Sequence, residues 1–279
     1  MPIITISRGT MSGGQMLAER LSSRLGYPTV GREAIKDAAA QYGISECVLE
    51  RELLEKPGLL DRLRRERGLY LLAIQSALVT RALKGSFIYH GNAGHLLLKG
   101  LPQVLKVRLI APLEFRVDML RKRDKDMTEE RARQHIAEVD RRRAEWTMFL
   151  YRVDWRDPSL YDLVLNLESI TVQGACELVV RALSLPEFQD TPAKRSAFED
   201  LALACRVRTE LALHERTKGM EFEVEAARGV VKLSGQYYSS GLFSRGASRH
   251  KDEIISVVRG VAGVEKIEVD LREASVPVD

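Results

Sequence analysis

Residues 3–16 read Ile3-Ile4-Thr5-Ile6-Ser7-Arg8-Gly9-Thr10-Met11-Ser12-Gly13-Gly14-Gln15-Met16. Ile3 to Ser7 is a short apolar, β-branched run, which predicts a strand. It stops at a Gly/Ser-rich segment, and beyond that the spacing becomes helical. Met16, Leu17, Leu21 and Leu25 fall on one face, and Gly26-Tyr27-Pro28 ends the helix. Strand, glycine loop and helix in this order bring backbone N–H groups and a positive helix end to one point, which suits an anion. Gly9 and Gly14 have the spacing of the glycines in the phosphate-binding pattern G-x-x-x-x-G-K-[S/T]. The two chemical residues of that pattern are missing. Gln15 stands where Lys meets the β/γ-phosphates, and Met16 where Ser or Thr holds magnesium. On the motif alone, a ligand loop and a bare strand-to-helix turn both remain open.

The pattern continues as alternating elements. Helical spacing covers about Arg32 to Tyr42 and Leu60 to Leu83, and Ser86 to His90 and Val104 to Ile110 are apolar strand candidates. Pro112 starts a helix through Arg116, Val117 and Leu120, and Thr128 is a serviceable N-cap for a charged helix that runs to about Tyr151. Tyr161 to Leu167 predicts a fourth strand and Val172 to Leu183 a closing helix. Short apolar strands alternating with helices predict an α/β unit, a parallel sheet with helices on both faces.

The chain has 279 residues, 45% of them hydrophobic and 29% charged, enough for two ordinary globular domains. Its formal net charge of +4 suits a phosphate-bearing ligand and does not point to nucleic acid. Cys47, Cys176 and Cys205 are scattered, which argues against a disulfide framework or a zinc site. The N-terminus does not read as a signal peptide, and no apolar stretch reaches the roughly 18 residues of a membrane span, so a cytoplasmic location is expected. Two prolines and polar residues in Leu185 to Lys194 predict a linker. The expected domains are 1–184 and 196–273, joined by 185–195. In the second, a helix from Ser196 to about Arg216 precedes strands at Phe222 to Ala226 and Val230 to Leu233. A helix at Ala247 to Arg259 and a strand at Gly263 to Leu271 follow, the order αββαβ of a small α+β unit.

A collinear series resembles the cytidylate kinase-like family, relatives of the P-loop nucleoside monophosphate kinases. It comprises Ile6-Ser7-Arg8, Ser12-Gly13-Gly14, Leu17-Ala18, Leu25-Gly26-Tyr27-Pro28, Arg32-Glu33 and His90-Gly91-Asn92-Ala93. It continues through Val107-Arg108-Leu109-Ile110-Ala111-Pro112-Leu113-Glu114-Phe115-Arg116, Asp140-Arg141-Arg142-Arg143, Asp154-Trp155 and Tyr161 to Asn166. The resemblance implies a P-loop kinase-like domain that binds ATP and a pyrimidine monophosphate. It further implies transfer of the γ-phosphoryl group to CMP or dCMP with Mg2+. It places the nucleotide on Arg8, Gly9, Thr10, Met11, Ser12, Gly13, Gly14, Gln15, Met16 and Arg32, and implies catalytic roles for Asp140 and Arg143, to which the charges of Arg121 and Arg123 add two further catalytic candidates.

The departures remove cations. The family's first loop glycine falls at Met11, its loop arginine at Gln15, and the arginine after the second strand at Asn92. Phosphoryl transfer depends on positioning and charge stabilisation, so these losses point to a non-catalytic nucleotide sensor or pseudokinase as the alternative. Arg8, Arg32, Arg121, Arg123 and Arg143 are candidate replacements. The bland reading of Arg121 to Arg143 is a solvated helical face, since Asp124, Asp126, Glu129 and Glu130 are interspersed. Asp140 or Asp162 would orient an arginine or a magnesium water, or serve as a surface ion pair. His90 and His95 read as structural, and Trp146, Phe149 and Tyr151 as packing residues.

The C-terminal segment Phe198 to Leu271 resembles the BON family through Gly229-Val230-Val231-Lys232-Leu233-Ser234-Gly235 and Val261-Ala262-Gly263-Val264-Glu265-Lys266-Ile267. That resemblance implies contact with a protein partner or phospholipid rather than catalysis. Tyr238, Leu242 and Phe243, in a long apolar segment, are the candidate contact residues.

Overall fold

The computed structural model describes residues 2–49, 61–101, 103–218, 220–238 and 245–274. Strands β1 (Ile3–Arg8), β2 (Thr29–Val30), β3 (Phe87–Tyr89), β4 (Val104–Ile110) and β5 (Leu163–Asn166) form one sheet in the order β2-β3-β1-β4-β5. Every pairing is parallel. Ile3 lies opposite both Phe87 and Val104, so β1 is central and the chain departs to opposite sides of it. In a parallel sheet, such a reversal beside one strand opens a crevice at the carboxyl ends. The glycine loop leaves β1 at that edge.

Both sheet faces are covered, as the short apolar strands predict. Ile4, Ile6, Leu105, Val107 and Leu109 pack on one face with Leu17 and Leu21 of α1 (Gly14–Leu25) and Val179 and Leu183 of α7 (Val172–Leu183). Ile3, Phe87, Tyr89 and Val104 face the other way. They meet Ala34 and Ala38 of α2 (Glu33–Tyr42) and Ile74 and Leu78 of α3 (Asp61–Lys84). A short α4 (Gly94–Leu97) follows β3. Helices α5 (Leu113–Arg123) and α6 (Glu129–Tyr151) form a hairpin closed by Val117, Leu120, Ala132 and Ile136. Trp146 at the far end of α6 is buried in the main core, the packing role expected of it.

Two elements escape sequence periodicity. β2 has two residues and is held by backbone bonds from Ile88 to Pro28 and from His90 to Val30. α4 is a single turn. Neither is long enough to show a repeat.

The C-terminal region carries a second small sheet in the order β6-β7-β8. β6 (Phe222–Ala227) pairs antiparallel with β7 (Val230–Tyr238), and β8 (Lys266–Ala274) lies parallel to β7 after α9 (Arg245–Arg259). Gly229, at φ +78, makes the β6–β7 turn. Leu203, Val207, Val224, Val231, Leu233, Ile254 and Val258 form its core. Leu242 and Phe243 lie outside the described residues, as does the side chain of Tyr238.

Between the two sheets runs α8 (Pro192–Leu213), which begins four residues earlier than its periodicity suggests. Pro192 sits at the first helical turn, where its missing N–H costs nothing, and Thr191 caps it by accepting from the Lys194 amide at 3.3 Å. Within the stretch read as a linker, Lys194 Nζ donates to the carbonyls of Pro186, Glu187 and Gln189 at 3.1, 2.7 and 3.1 Å. α8 serves both cores. Phe198, Ala202 and Cys205 pack with the first, and Leu203, Ala204, Val207 and Leu211 with the second. Thr209 Oγ1 also donates to the Leu72 carbonyl of α3 at 3.2 Å.

Candidate functional site

The loop from Gly9 to Gly13 turns through two left-handed residues, Met11 at φ +60 and Gly13 at φ +78. Met11 thus keeps a conformation that glycine adopts freely, at a cost of about 1–2 kcal/mol for a side chain. Its side chain packs against the α5–α6 hairpin cluster, which offsets that cost. Gly13 is the N-cap of α1 and no side chain caps the helix, so its first-turn amides are open to an anion.

Three arginines and one carboxylate surround this loop. Asp140 Oδ1 accepts the Thr10 amide at 2.8 Å, and Asp140 Oδ2 pairs with Arg116. Arg116 Nε donates to the Thr10 carbonyl at 2.7 Å, and its guanidinium lies against Gly9. Arg143 Nη1 donates to the Arg8 carbonyl at 3.0 Å and stands 3.8 Å from Asp140. The Arg8 side chain covers Gly14 so closely that a Cβ there would fall 1.8 Å from Arg8 Cδ. Burial, then the Arg143 charge, lower the Arg8 pKa to about 10. Burial also lowers that of Arg143, against the opposing pull of Asp140. Thr10 Oγ1 is buried without a hydrogen-bond partner. Such a cluster, with positive charge in excess and a buried hydroxyl unused, can chemically accommodate an anion.

The expected site residues divide accordingly. Arg8, Gly9, Thr10, Met11, Ser12, Gly13, Gly14, Asp140 and Arg143 come together. Gln15 and Met16 lie on the exposed side of α1, and Gln15 Nε2 donates to Glu19 Oε1 at 2.9 Å. Arg32 is at the N-cap position of α2, where its side chain does not cap the helix. Arg121 and Arg123 are exposed in the last turn of α5 and, among the described residues, have no side-chain hydrogen bond or ion pair. Asp162 is engaged on the sheet, accepting from the Lys106 amide at 2.7 Å and pairing with Lys106 Nζ at 3.3 Å. Arg116 is absent from the expected set although it joins the loop to the hairpin. The signal was its place in Ala111-Pro112-Leu113-Glu114-Phe115-Arg116, one turn into a helix that starts at the sheet edge.

A second buried cluster lies beneath the loop. Tyr161 Oη donates to the Trp155 carbonyl at 2.6 Å and contacts Ser7 Oγ at 3.1 Å and His95 Nε2 at 3.2 Å. The Arg108 guanidinium stacks 4.6 Å from the Trp155 ring. Burial, reinforced by the charges of Arg108 and Lys106, pushes the His95 pKa down to about 4, so the ring is neutral near pH 7. His90, lowered by burial and then by the charge of Arg8, lies beside Gly31.

The residues present do not fit a protein-held magnesium ion. The Met16 side chain has no oxygen to offer, and among the described residues no three His, Cys, Asp or Glu side chains converge. An anion at the loop would meet amides and guanidiniums.

A parallel sheet with strand order 2-3-1-4-5, a glycine loop after the central strand and a two-helix hairpin over that loop define a P-loop kinase-like domain. The cytidylate kinase-like family model matches residues 3–169, and the chain belongs to that family. It is 30% identical over 183 residues to a cytidylate kinase of Methanothrix thermoacetophila, covering 65% of this chain and 97% of that one. A cytidylate kinase of Archaeoglobus fulgidus is 24% identical over 191 residues, 67% of this chain and 97% of its own. An uncharacterised protein of Eubacterium ventriosum has the same fold, with a TM-score of 0.51 at 18% identity, over 65% of this chain and 97% of its own. None of the described helices is long and apolar enough to cross a membrane.

Proposed function

We propose that the loop binds the phosphates of ATP beside a pyrimidine monophosphate acceptor, and that transfer to CMP or dCMP is slow. The observation that carries this reading is the surplus of guanidinium charge, Arg8, Arg116 and Arg143 against the single carboxylate of Asp140. In the reaction, an oxygen of the CMP 5′-phosphate forms a bond to the γ-phosphorus. The bond from that phosphorus to the bridging oxygen breaks, leaving ADP and CDP. Arg8 and Arg143 would meet the charge spread over the transferred oxygens, and Arg116 and Asp140 would hold the loop amides in register. A neutral amide at Gln15 is a weaker donor than an ammonium, and loss of one such donor costs on the order of 10²–10³ in rate.

The turn of Gln15 toward Glu19 favours a second reading, a nucleotide sensor that binds without turnover. A coupled assay with ATP, magnesium and CMP or dCMP separates the two, alongside thermal-shift binding of ATP, GTP, CMP and dCMP with and without magnesium. Turnover near roughly 1–100 per second would remove the sensor reading. Absence of any nucleotide-induced shift would remove both. The C-terminal domain, read as BON-like, is proposed to contact a protein or phospholipid.

A further inference from the structure

A cleft of about 780 Å³ lies between the two domains, away from the loop, among the end of α2, the face of α8 and the end of α9. Its volume is in the range of small-molecule sites, which favour domain junctions. Tyr42 and Val257 supply an aromatic and an aliphatic wall. Arg216 pairs with Glu253 within it, so those two charges satisfy each other. Arg206 is different. It is half-buried, its Nε is sealed from solvent without a hydrogen-bond partner, and it has no ion pair among the described residues. Its Nη2 lies 3.3 Å from where a Cβ on Gly263 would be, so a side chain there would crowd the guanidinium. Glu210, one turn further along α8, also lines the cleft but forms no ion pair with Arg206, so this partly buried guanidinium is left open to an added anion.

We propose that this cleft is a second ligand site, which takes a small organic anion whose phosphate or carboxylate seats on Arg206 and whose body lies between Tyr42 and Val257. The site takes residues from both domains, so its ligand bridges α2 of the nucleotide domain and α9 of the C-terminal one. This inference stands independently of what the loop binds.

The test is calorimetric titration of the full chain carrying Arg8→Gln, Arg116→Gln and Arg143→Gln together, which removes the three loop guanidiniums, with inorganic phosphate, CMP and citrate as probes. Saturable binding of at least one probe is expected, weakened tenfold or more by adding Arg206→Gln and largely retained with Arg206→Lys. Ser256→Glu, an exposed change in the cleft lining, is expected to weaken the same probe by repulsion and guards against misfolding of the arginine variant. Tighter phosphate and CMP than citrate assigns a phosphate ligand, and the reverse order a carboxylate. No saturable binding, or binding indifferent to Arg206→Gln and Ser256→Glu, overturns the proposal.

Discussion

The carboxylate of Asp140 accepts the backbone amide of Thr10 across 130 positions of sequence, joining the α5–α6 hairpin to the glycine loop. The same carboxylate neutralises Arg116, which returns to the Thr10 carbonyl. The loop's shape therefore depends on the hairpin. Asp140→Ala removes both contacts and leaves Arg116 without its partner, a loss of about 1–3 kcal/mol in unfolding free energy by denaturant titration. Asp140→Asn keeps an acceptor for the amide and loses less. Because it deletes the negative charge from a site of three cations, triphosphate affinity is expected to hold or rise at low salt. A collapse of affinity in a folded Asp140→Asn variant would show that the carboxylate orients the ligand itself.

Arg143 spans the Arg8 carbonyl and Asp140, and a guanidinium suits phosphate oxygens rather than a base. Arg143→Ala is expected to weaken ATP roughly tenfold or more while leaving cytidine binding nearly unchanged. Equal losses for both ligands by calorimetry would assign Arg143 a purely structural role.

His95 gives the pH dependence a definite sign. Its folded pKa, about 4, lies below the ordinary 6.5 because burial disfavours the charged ring. Between those values the unfolded chain binds more protons than the folded one, so stability is full above pH 6.5 and falls as pH drops toward 4. The effect amounts to about 3 kcal/mol across the window. His95→Phe should flatten that part of the stability profile, measured by urea unfolding at stepped pH. A profile as steep as the parent's would place the acid sensitivity elsewhere.

The shared helix sets another test. Phe198 is 5% exposed and packs in the first core, although it lies beyond the stretch read as a linker. Phe198→Ala is expected to cost about 3–5 kcal/mol and to lower the melting transition of the nucleotide domain. If the two domains fold independently across 185–195, proteolysis there leaves two resistant fragments and Phe198→Ala leaves the first unaffected. If α8 ties them, both domains melt together.

The nucleotide-domain architecture was legible in the sequence because β1, β4 and the helices each repeat their apolar period often enough to declare themselves. Thr29–Val30 was not, since two residues show no period and their pairing is settled by Ile88 and His90 from a distant strand. The start of α8 was misplaced because Pro192 reads as a breaker in a linker, whereas at a first helical turn it is a starter. In the site, the loop was visible as spacing, and Asp140 with Arg143 through the family resemblance. Arg116 was not singled out, because its role comes from α5 standing over Gly9, a tertiary fact. Arg121 and Arg123 shared its helix and drew attention by charge alone.

Gly14 supplies a change that separates folding from binding. It opens α1 at a backbone conformation any residue can adopt, so alanine there gains up to about 1 kcal/mol of helix propensity, which offsets part of the cost of displacing the buried Arg8 side chain. Its Cβ, however, would coincide with the side chain of Arg8, 1.8 Å from Cδ and 2.5 Å from Nε. Arg8 is flexible and must swing away, carrying its guanidinium from the loop mouth. Gly14→Ala is therefore expected to reproduce the binding defect of Arg8→Ala, roughly a tenfold loss of ATP affinity, and the double variant to be no worse than either single one. Calorimetric titration of the three variants checks this. Additive losses would show that Gly14 serves by letting the ligand approach the backbone, with Arg8 acting separately.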